Sequence, residues 1–198
     1  MKKILLVVGF VFAGIVANAQ FYAGGSLGFG MTSQKLDNGD KVGTETNFSI
    51  VPEVGYSLND RLDLGISIGF GMDQYKPEGG EKTKSNAFMV APYVRYSFVE
   101  FGRFKVMAKA SLYAAFGEDV DKVKTTDFGL AVAPVLGYNL SDNFILLANL
   151  NCFALGFDYN KVKDGPATTT FGLGFDSNNV ANLGGGEVPF TIGFAYIF

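Results

Sequence analysis

Apolar and polar residues alternate with period two in eight segments of the chain. A β-strand sends successive side chains to opposite faces, so each segment predicts a strand with one apolar face and one small or polar face. The segments cover residues 21–31, 47–58, 62–72, 88–98, 104–116, 128–140, 144–157 and 190–198. Strands that cross a bilayer at a tilt need roughly 9 to 11 residues each, and these segments have that size.

The closing strand has the strongest alternation. Its apolar face carries Phe190, Ile192, Phe194, Tyr196 and Phe198. A strand edge with such a face would promote aggregation in water, so we expect the face to be buried or to contact lipid. An alternation that ends on Phe198 resembles the C-terminal insertion signal of bacterial outer-membrane barrels. The resemblance implies recognition by the barrel-assembly machinery.

The seventh strand is irregular. Phe144 and Leu146 have one parity, whereas Leu155 and Phe157 have the other. A change of phase within a strand predicts a bulge, or a part that has risen beyond the membrane. Residues 168–175 also alternate, and they predict a strand extension or a small hairpin above the membrane, because a ninth crossing would leave an odd number.

The connections between strands alternate in length. Residues 59–60, 100–103 and 141–143 form short connections, whereas residues 33–46, 73–85, 117–126 and 160–187 form long polar ones. Short turns at one end and long loops at the other are typical of a transmembrane barrel. An even number of strands then predicts both termini on the periplasmic side with the turns, and the long loops outside the cell.

A repeat supports this layout. Similar sequences begin at Val51, Ala91 and Ala133 and each combine a proline, a tyrosine and a following turn. Each repeat unit is one descending and one ascending strand. Pro52, Pro92 and Pro134 fall inside predicted strands, where a proline removes a ladder hydrogen bond. A local bulge or a wide ladder spacing would accommodate them.

The N-terminus predicts export. Lys2 and Lys3 precede an apolar run over residues 4–16, and Ala17-Asn18-Ala19 has the small-x-small pattern of a signal-peptide cleavage site. The run is shorter than the roughly 20 residues that a transmembrane helix needs, which argues against a membrane anchor. We therefore expect a signal peptide over residues 1–19 and a single domain over residues 20–198. Cys152 is the only cysteine, so the exported chain has no intramolecular disulfide to form.

The signal peptide, the Pro-x-x-Gly-Tyr repeats and the terminal aromatic residue together resemble the outer membrane protein beta-barrel domain family of small porin-like proteins. The resemblance covers residues 20–198. It implies an eight-stranded antiparallel up-and-down transmembrane β-barrel in the outer membrane of a Gram-negative cell envelope, in contact with outer-membrane lipid. It does not define an activity, because the family is defined by architecture.

The two strand faces decide between a membrane barrel and a soluble one, such as a lipocalin. The polar face is rich in Gly and Ser and has few charges, whereas the apolar face is too bulky for the interior of eight strands. We therefore expect the apolar face to contact lipid. We also expect the inward glycines Gly24, Gly28 and Gly30 of the first strand to lie across the lumen from large residues of the fifth strand.

Five charged residues have inward parity in the half of the barrel near the turns: Glu53, Asp63, Arg95, Lys105 and Lys109. Unpaired charges are costly in a confined space, so we predict a salt-bridged and hydrated cluster. The cluster has two interpretations, a structural filling of the lumen or a gate for ions.

The sequence lacks the residues of common active sites. It contains no histidine, which excludes Ser-His-Asp and Cys-His arrangements. The glycine-rich stretches 24–30, 69–71 and 184–186 open no predicted helix and lack the Lys-Ser/Thr of a phosphate loop. Glu118, Asp119 and Asp121 lack the spacing of a Ca²⁺ loop. We therefore expect no catalytic site, no cofactor and no metal.

Charge excludes one further class of partner. Cleavage would remove two of the 16 basic residues, leaving 14 against 19 acidic ones and a net charge of −5. The lysines scatter among the predicted loops beside acidic residues, which argues against nucleic-acid binding. The sequence thus predicts a non-enzymatic, monomeric barrel with a plugged lumen, which serves envelope structure or contacts unknown ligands through its loops. The alternative is a narrow passive pore for ions or very small solutes.

Overall fold

A computed structural model of the protein describes residues 20–36, 41–118, 122–150, 154–163, 165–174 and 191–198. The predicted signal peptide over residues 1–19, Cys152 and Phe190 lie outside these ranges. The strands are β1 (Gln20–Lys35), β2 (Lys41–Asn59), β3 (Leu62–Pro77), β4 (Thr83–Phe101), β5 (Phe104–Glu118), β6 (Lys124–Asn139), β7 (Phe144–Asn149), β8 (Ala154–Val162), β9 (Ala167–Gly174) and β10 (Thr191–Ile197). No helix in the described ranges is long and apolar enough to cross a membrane.

Eight of these strands form a closed antiparallel ring. Strands β1 to β7 pair in chain order, β7 pairs with β10, and β10 returns to β1. The β1–β10 ladder runs from Tyr22 opposite Ile197 to Leu27 opposite Ile192. The protein is therefore a closed eight-stranded antiparallel β-barrel, as the alternating segments predict.

The remaining two strands form a hairpin on the wall of the barrel. Strand β8 continues the path of β7 beside β6, and β9 pairs with β8 alone among the described strands. This confirms the predicted hairpin and the count of eight strands in the ring. Its height differs from the prediction, because Phe171 lies opposite Phe157 and Phe157 lies opposite Leu130. The hairpin therefore begins beside the exposed apolar residues of β6 rather than wholly beyond them.

The change of phase in the seventh segment is an insertion. Val135 lies opposite Asn149, whereas Val132 lies opposite Leu155. Three residue steps in β6, from 132 to 135, therefore face six steps in the adjacent chain, from 149 to 155. The three additional steps reverse the parity between Asn149 and Leu155, which accounts for the change of phase. Residues 151–153, where the predicted bulge falls, lie outside the described ranges.

The strands are longer at one end than the sequence pattern predicts. Only residues 36–40, 78–82 and 119–123 separate β1 from β2, β3 from β4 and β5 from β6. The predicted loops over 33–46, 73–85 and 117–126 are thus wrong in length. Beyond the apolar layer both strand faces meet water, so the hydrophobic alternation ends while backbone pairing continues. We call this end the loop side, and the end with the turns at 60–61, 102–103 and 140–143 the turn side.

The outward face of the barrel is apolar. Along β2, for example, Phe48 and Ile50 are exposed whereas Ser49 and Val51 are buried inside the ring. The same alternation places Ile66 outside and Ser67 inside. A soluble barrel would have the opposite arrangement, so the lipocalin-like alternative is wrong.

Exposed aromatic residues form a ring at each end of the apolar surface. The turn-side ring contains the exposed Phe21, Tyr56, Tyr96, Phe104, Tyr196 and Phe198 together with the half-buried Tyr138 and Phe144. The loop-side ring contains Phe29, Phe48, Phe70, Phe88, Phe116, Phe128 and Phe157. Ring contacts join neighbouring strands, such as Phe104 and Tyr138 with centroids 4.8 Å apart. Two aromatic girdles that flank an apolar band are characteristic of outer-membrane barrels.

Two of the three strand prolines interrupt a ladder without shifting it. Between β2 and β3 the pairs Ile50↔Phe70 and Glu53↔Ser67 flank a gap at Pro52, and both strands advance three steps across it. Between β4 and β5, Pro92 lies in a similar gap between Val90↔Ala114 and Tyr93↔Ser111. A proline has no N–H to donate, so wide ladder spacing is the correct alternative at these two positions. Pro134 differs, because it lies between Val132↔Leu155 and Val135↔Asn149, where the register of the adjacent chain shifts.

Candidate functional site in the lumen

Two layers of buried side chains cross the lumen. The turn-side layer contains Tyr22, Tyr93, Met107, Val135, Leu147 and Ala195. The loop-side layer contains Val51, Met89, Ala91, Tyr113 and Ala131. Seven of the eight strands in the ring contribute to these layers, because inward positions of every strand face the same narrow interior.

Tyrosines in these layers pack over glycines of nearby strands. A Cβ added at Gly65 would lie 2.7 Å from the Tyr22 hydroxyl and 2.6 Å from Cζ of Tyr93. Gly129 similarly lies beneath the Tyr113 ring. At Gly24 of β1, the atoms nearest to an added Cβ belong to the backbone of neighbouring β10, beginning with the Phe194 carbonyl. Large side chains lie along the wall because a nearby glycine leaves them space there.

Four of the five predicted cluster residues meet in the lumen. Arg95 Nη1 lies 2.9 Å from Glu53 Oε1, and Arg95 Nε lies 2.9 Å from Asp63 Oδ2. Lys109 Nζ lies 2.8 Å from Glu53 Oε2. The four residues come from the consecutive strands β2 to β5, so this charge cluster ties half of the ring together.

Further contacts complete the charge cluster. The Tyr22 and Tyr93 hydroxyls are 2.6 Å apart, and the Arg95 guanidinium lies 5.3 Å from the Tyr22 ring centroid. Lys109 Nζ donates to Ser67 Oγ at 3.1 Å and lies 3.9 Å from the Tyr93 ring centroid. Buried charges are tolerated when they are paired and hydrogen-bonded. Lys109 thus has a hydrogen-bond partner besides Glu53, and aromatic rings lie against both buried cations.

Lys105 does not join the charge cluster. Its Nζ lies 3.3 Å from Glu100 Oε1 and donates to the Asp60 carbonyl at 3.4 Å. Lys105 is the second residue of β5, close to the turn side, so its ammonium group reaches the rim.

Two cavities border the charge cluster. A cavity of about 290 Å³ opens at the turn side and is lined by Asp60, Arg61, Lys105 and Asn139 as well as Arg95. A smaller one of about 50 Å³ lies deeper, beside Lys109, Ser67 and Ser111. The larger cavity has mostly polar walls, whereas apolar side chains such as Val51 and Met89 line much of the smaller one. Both have enough room for water. The turn-side apolar layer lies between them.

The tyrosines are the site residues that the sequence interpretation missed. Tyr22, Tyr93 and Tyr113 have inward parity, and Tyr113 donates to Asp158 Oδ2 at 2.9 Å. An inward tyrosine within a glycine-rich lumen is the signal that could have identified them, because a buried hydroxyl needs a partner.

The glycine-rich stretches and acidic residues considered in the sequence have ordinary positions. Residues 24–30 lie within β1 and residues 69–71 within β3, whereas residues 184–186 lie outside the described part of the chain. Glu118 ends β5, and Asp119 and Asp121 also lie outside it. Within the described ranges, no three Cys, Asp or Glu side chains form a group that could hold a metal ion.

The predicted insertion signal lies on β10. Ile192, Phe194, Tyr196 and Phe198 all point outward and are exposed. The Phe198 amide donates to the Phe21 carbonyl at 2.8 Å, and the two rings lie 5.4 Å apart. The last residue of the chain thus completes the β1–β10 seam at the turn side.

Comparison with known proteins assigns the family. No curated protein matches the chain. Among solved structures, Neisserial surface protein A is similar at 19% identity with a TM-score of 0.46, over 91% of this chain and 99% of that one. A major outer membrane protein from Thermus thermophilus is similar at 15% identity with a TM-score of 0.38, over 90% and 99% of the two chains. The family described as outer membrane protein beta-barrel domain matches residues 4–184, and the chain therefore belongs to that family of outer-membrane barrels.

Proposed function

We propose that this protein is a non-enzymatic outer-membrane barrel whose lumen is plugged and whose role is envelope structure or contact through its loop-side surface. The observation that carries the proposal is that buried side chains fill the lumen. Tyr22, Met89 and Val135 are all at most 2% exposed, and the charged groups of the cluster pair with one another. Catalytic or transport sites need polar groups that a substrate can reach, whereas these side chains serve to fill the lumen.

The proposed orientation places the turns and both termini in the periplasm and the loop side outside the cell. Its support is the asymmetry of the barrel, with tight turns at one end and strand extensions plus a hairpin at the other. An N-terminal signal peptide and insertion by the barrel-assembly machinery complete the proposed route to the outer membrane of a Gram-negative cell.

Planar-bilayer recordings test the plug. We expect the refolded native protein to give no sustained single-channel steps, because two layers of buried side chains cross the lumen. The double variant Tyr93→Ala, Met107→Ala should conduct, since it removes large parts of the turn-side layer. Leu112→Ala, Leu136→Ala is the matched control, because both side chains are exposed on the outer surface. Sustained single-channel steps from the native protein would contradict the plugged lumen and support the narrow pore instead.

A second experiment tests the insertion signal. The Phe198→Asp variant should be exported normally, yet give less heat-modifiable and protease-resistant barrel in the outer membrane. Phe101→Asp is the matched control, because Phe101 is equally on the turn side and 81% exposed but lies far from the C-terminus. Equal loss from both variants would show that membrane contact, and not a terminal signal, causes the defect. Normal insertion of Phe198→Asp would show that the ending has no such role.

A further inference from the structure

Charged residues at the loop-side strand ends are sorted by face. Four lysines share the outward parity of exposed aromatic residues on the same strand, and all four are exposed: Lys76 on β3, Lys84 on β4, Lys124 on β6 and Lys161 on β8. The acidic residues Glu45, Asp73, Asp127 and Asp158 of the neighbouring strand ends have the opposite, inward parity. These four lysines and these four acids therefore lie on opposite faces of the wall at the loop side.

Two of the inward acids, Asp158 and Asp127, accept hydrogen bonds from other inward side chains. Asp158 accepts from Tyr113 at 2.9 Å, and Asp127 accepts from Asn160. Both contacts lie inside the ring. They do not neutralise the lysines, which point away from the lumen.

The four lysines have few anionic neighbours on the outer surface. Lys76, Lys84 and Lys161 lie opposite Thr44, Gln74 and Thr126, respectively. Lys124 lies opposite Glu118, the acidic residue of outward parity at the end of β5. Within the described ranges none of the four lysines forms a salt bridge. The outward loop-side strand ends thus present a net positive charge.

The height of the lysines matches a lipid headgroup layer. Lys84, Lys124 and Lys161 lie four residues from Phe88, Phe128 and Phe157 of the loop-side aromatic ring. Four residues of a tilted strand rise roughly 10 Å above the aromatic level. Aromatic girdles lie at the membrane interface, and lysine side chains extend along the apolar surface while the ammonium group stays among polar groups.

The turn side has no such sorting. Its turns and rim combine acidic and basic residues, namely Asp60, Arg61, Glu100, Arg103 and Asp142, as does the loop-side connection with Glu78, Glu81 and Lys82. The asymmetry lies in the strands, because only the loop-side strand ends carry a set of outward lysines. The outward positive charge at one end of the barrel indicates an anionic partner at the leaflet on that side.

We propose that Lys76, Lys84, Lys124 and Lys161 form a binding surface for the phosphate groups of lipids in the outer leaflet. We call these four residues the lysine ring. A lysine ammonium is a compact point charge that binds phosphate well, and four of them around the wall can engage phosphates on several lipid molecules. The assignment to the outer leaflet rests on the proposed orientation, whereas the preference for lipid phosphate does not.

Lipid binding to the refolded full-length barrel in neutral micelles tests the proposal by native mass spectrometry. The probes are bis-phosphorylated lipid A, the same lipid without phosphate, and inorganic phosphate. A lysine near an anionic lipid surface changes affinity by about fivefold. We expect the native protein to prefer the phosphorylated lipid, and the variant with all four lysines changed to Gln to lose at least tenfold of that affinity.

A matched pair of variants isolates the site from overall charge. Lys84→Gln, Lys124→Gln and Arg61→Gln, Arg103→Gln remove the same number of charges from opposite ends of the barrel. Only the first pair should weaken binding of the phosphorylated lipid.

Three outcomes would overturn the proposal: equal binding of both lipids, equal losses in the two double variants, or inorganic phosphate that competes at comparable concentration. None of these depends on whether the barrel conducts. The experiments can therefore contradict the plugged lumen and the lysine ring independently of each other.

Discussion

Replacing Arg95 by Met should lower the free energy of unfolding of the barrel by about 3 to 5 kcal/mol. Arg95 is 3% exposed and pairs with both Glu53 and Asp63. Removal of the guanidinium leaves Asp63 without a cation and leaves Glu53 with Lys109 alone. An uncompensated charge in this confined interior is costly, since the neighbouring aromatic rings cannot solvate a carboxylate.

Reversible urea unfolding of the barrel in lipid vesicles measures this loss. Arg61→Met is the control, because Arg61 is exposed at a turn and should change stability by less than about 0.5 kcal/mol. The double variant Glu53→Gln, Arg95→Met should lose less stability than the sum of the losses of the two single variants, because each single variant leaves the other charge without its partner. A stability for Arg95→Met within about 1 kcal/mol of the native value would show that water replaces the guanidinium and that the charge cluster is not sealed.

The ring of eight strands could be predicted because the sequence of a membrane barrel alternates between lipid-facing and lumen-facing positions. Lipid outside and a narrow lumen inside make successive positions alternate, so the parity of Ile66 and Ser67 already gives their faces. The same alternation ends where the wall leaves the membrane. Strand β2 begins at Lys41 rather than near residue 47 for that reason, since water on both faces removes the alternation but not the hydrogen bonds.

The charge cluster could be predicted only in part. Parity indicates which face of a strand a side chain lies on, but not which partners it can contact. Lys105 and Lys109 have the same parity and both lie on the inward face of β5. Lys109 meets Glu53, whereas Lys105 meets Glu100 at the rim. The difference depends on height and on the direction of a long flexible side chain, neither of which a period-two pattern contains.

The packing of the lumen was the least predictable feature. Eight strands suggest that residues four strands apart should meet across the barrel. The tyrosines instead lie along the wall, and the Tyr22 ring covers Gly55 and Gly65 of the two following strands. Strand tilt and stagger move each side chain toward its neighbours, and a sequence does not specify that shear without the register of every ladder.

An Arg at Ile66 should destabilise the barrel by about 2 to 4 kcal/mol, because a charge on the lipid face near the bilayer midplane is costly. Ile66 is 40% exposed on the outer surface and lies opposite Pro92, midway between the aromatic rings. Ser67 gives no clean energetic comparison. It is 2% exposed and bonded to Lys109, so any large residue there would overpack the lumen.

Site-specific labelling separates the two faces where the energies overlap. Cysteines at Ile66, Leu112 and Leu136 should be shielded from water-soluble reagents and report quenching by lipid-borne nitroxides, since these side chains are 40%, 61% and 43% exposed to the bilayer side. Cysteines at Ser67, Ser111 and Val135 should escape that quenching, because these positions are at most 2% exposed inside the ring. Leu136 and Val135 are adjacent, so this pair holds height and strand constant and varies only the face. Quenching at Val135 and not at Leu136 would show that the two faces are assigned the wrong way round, and would favour a soluble barrel with a ligand-holding interior.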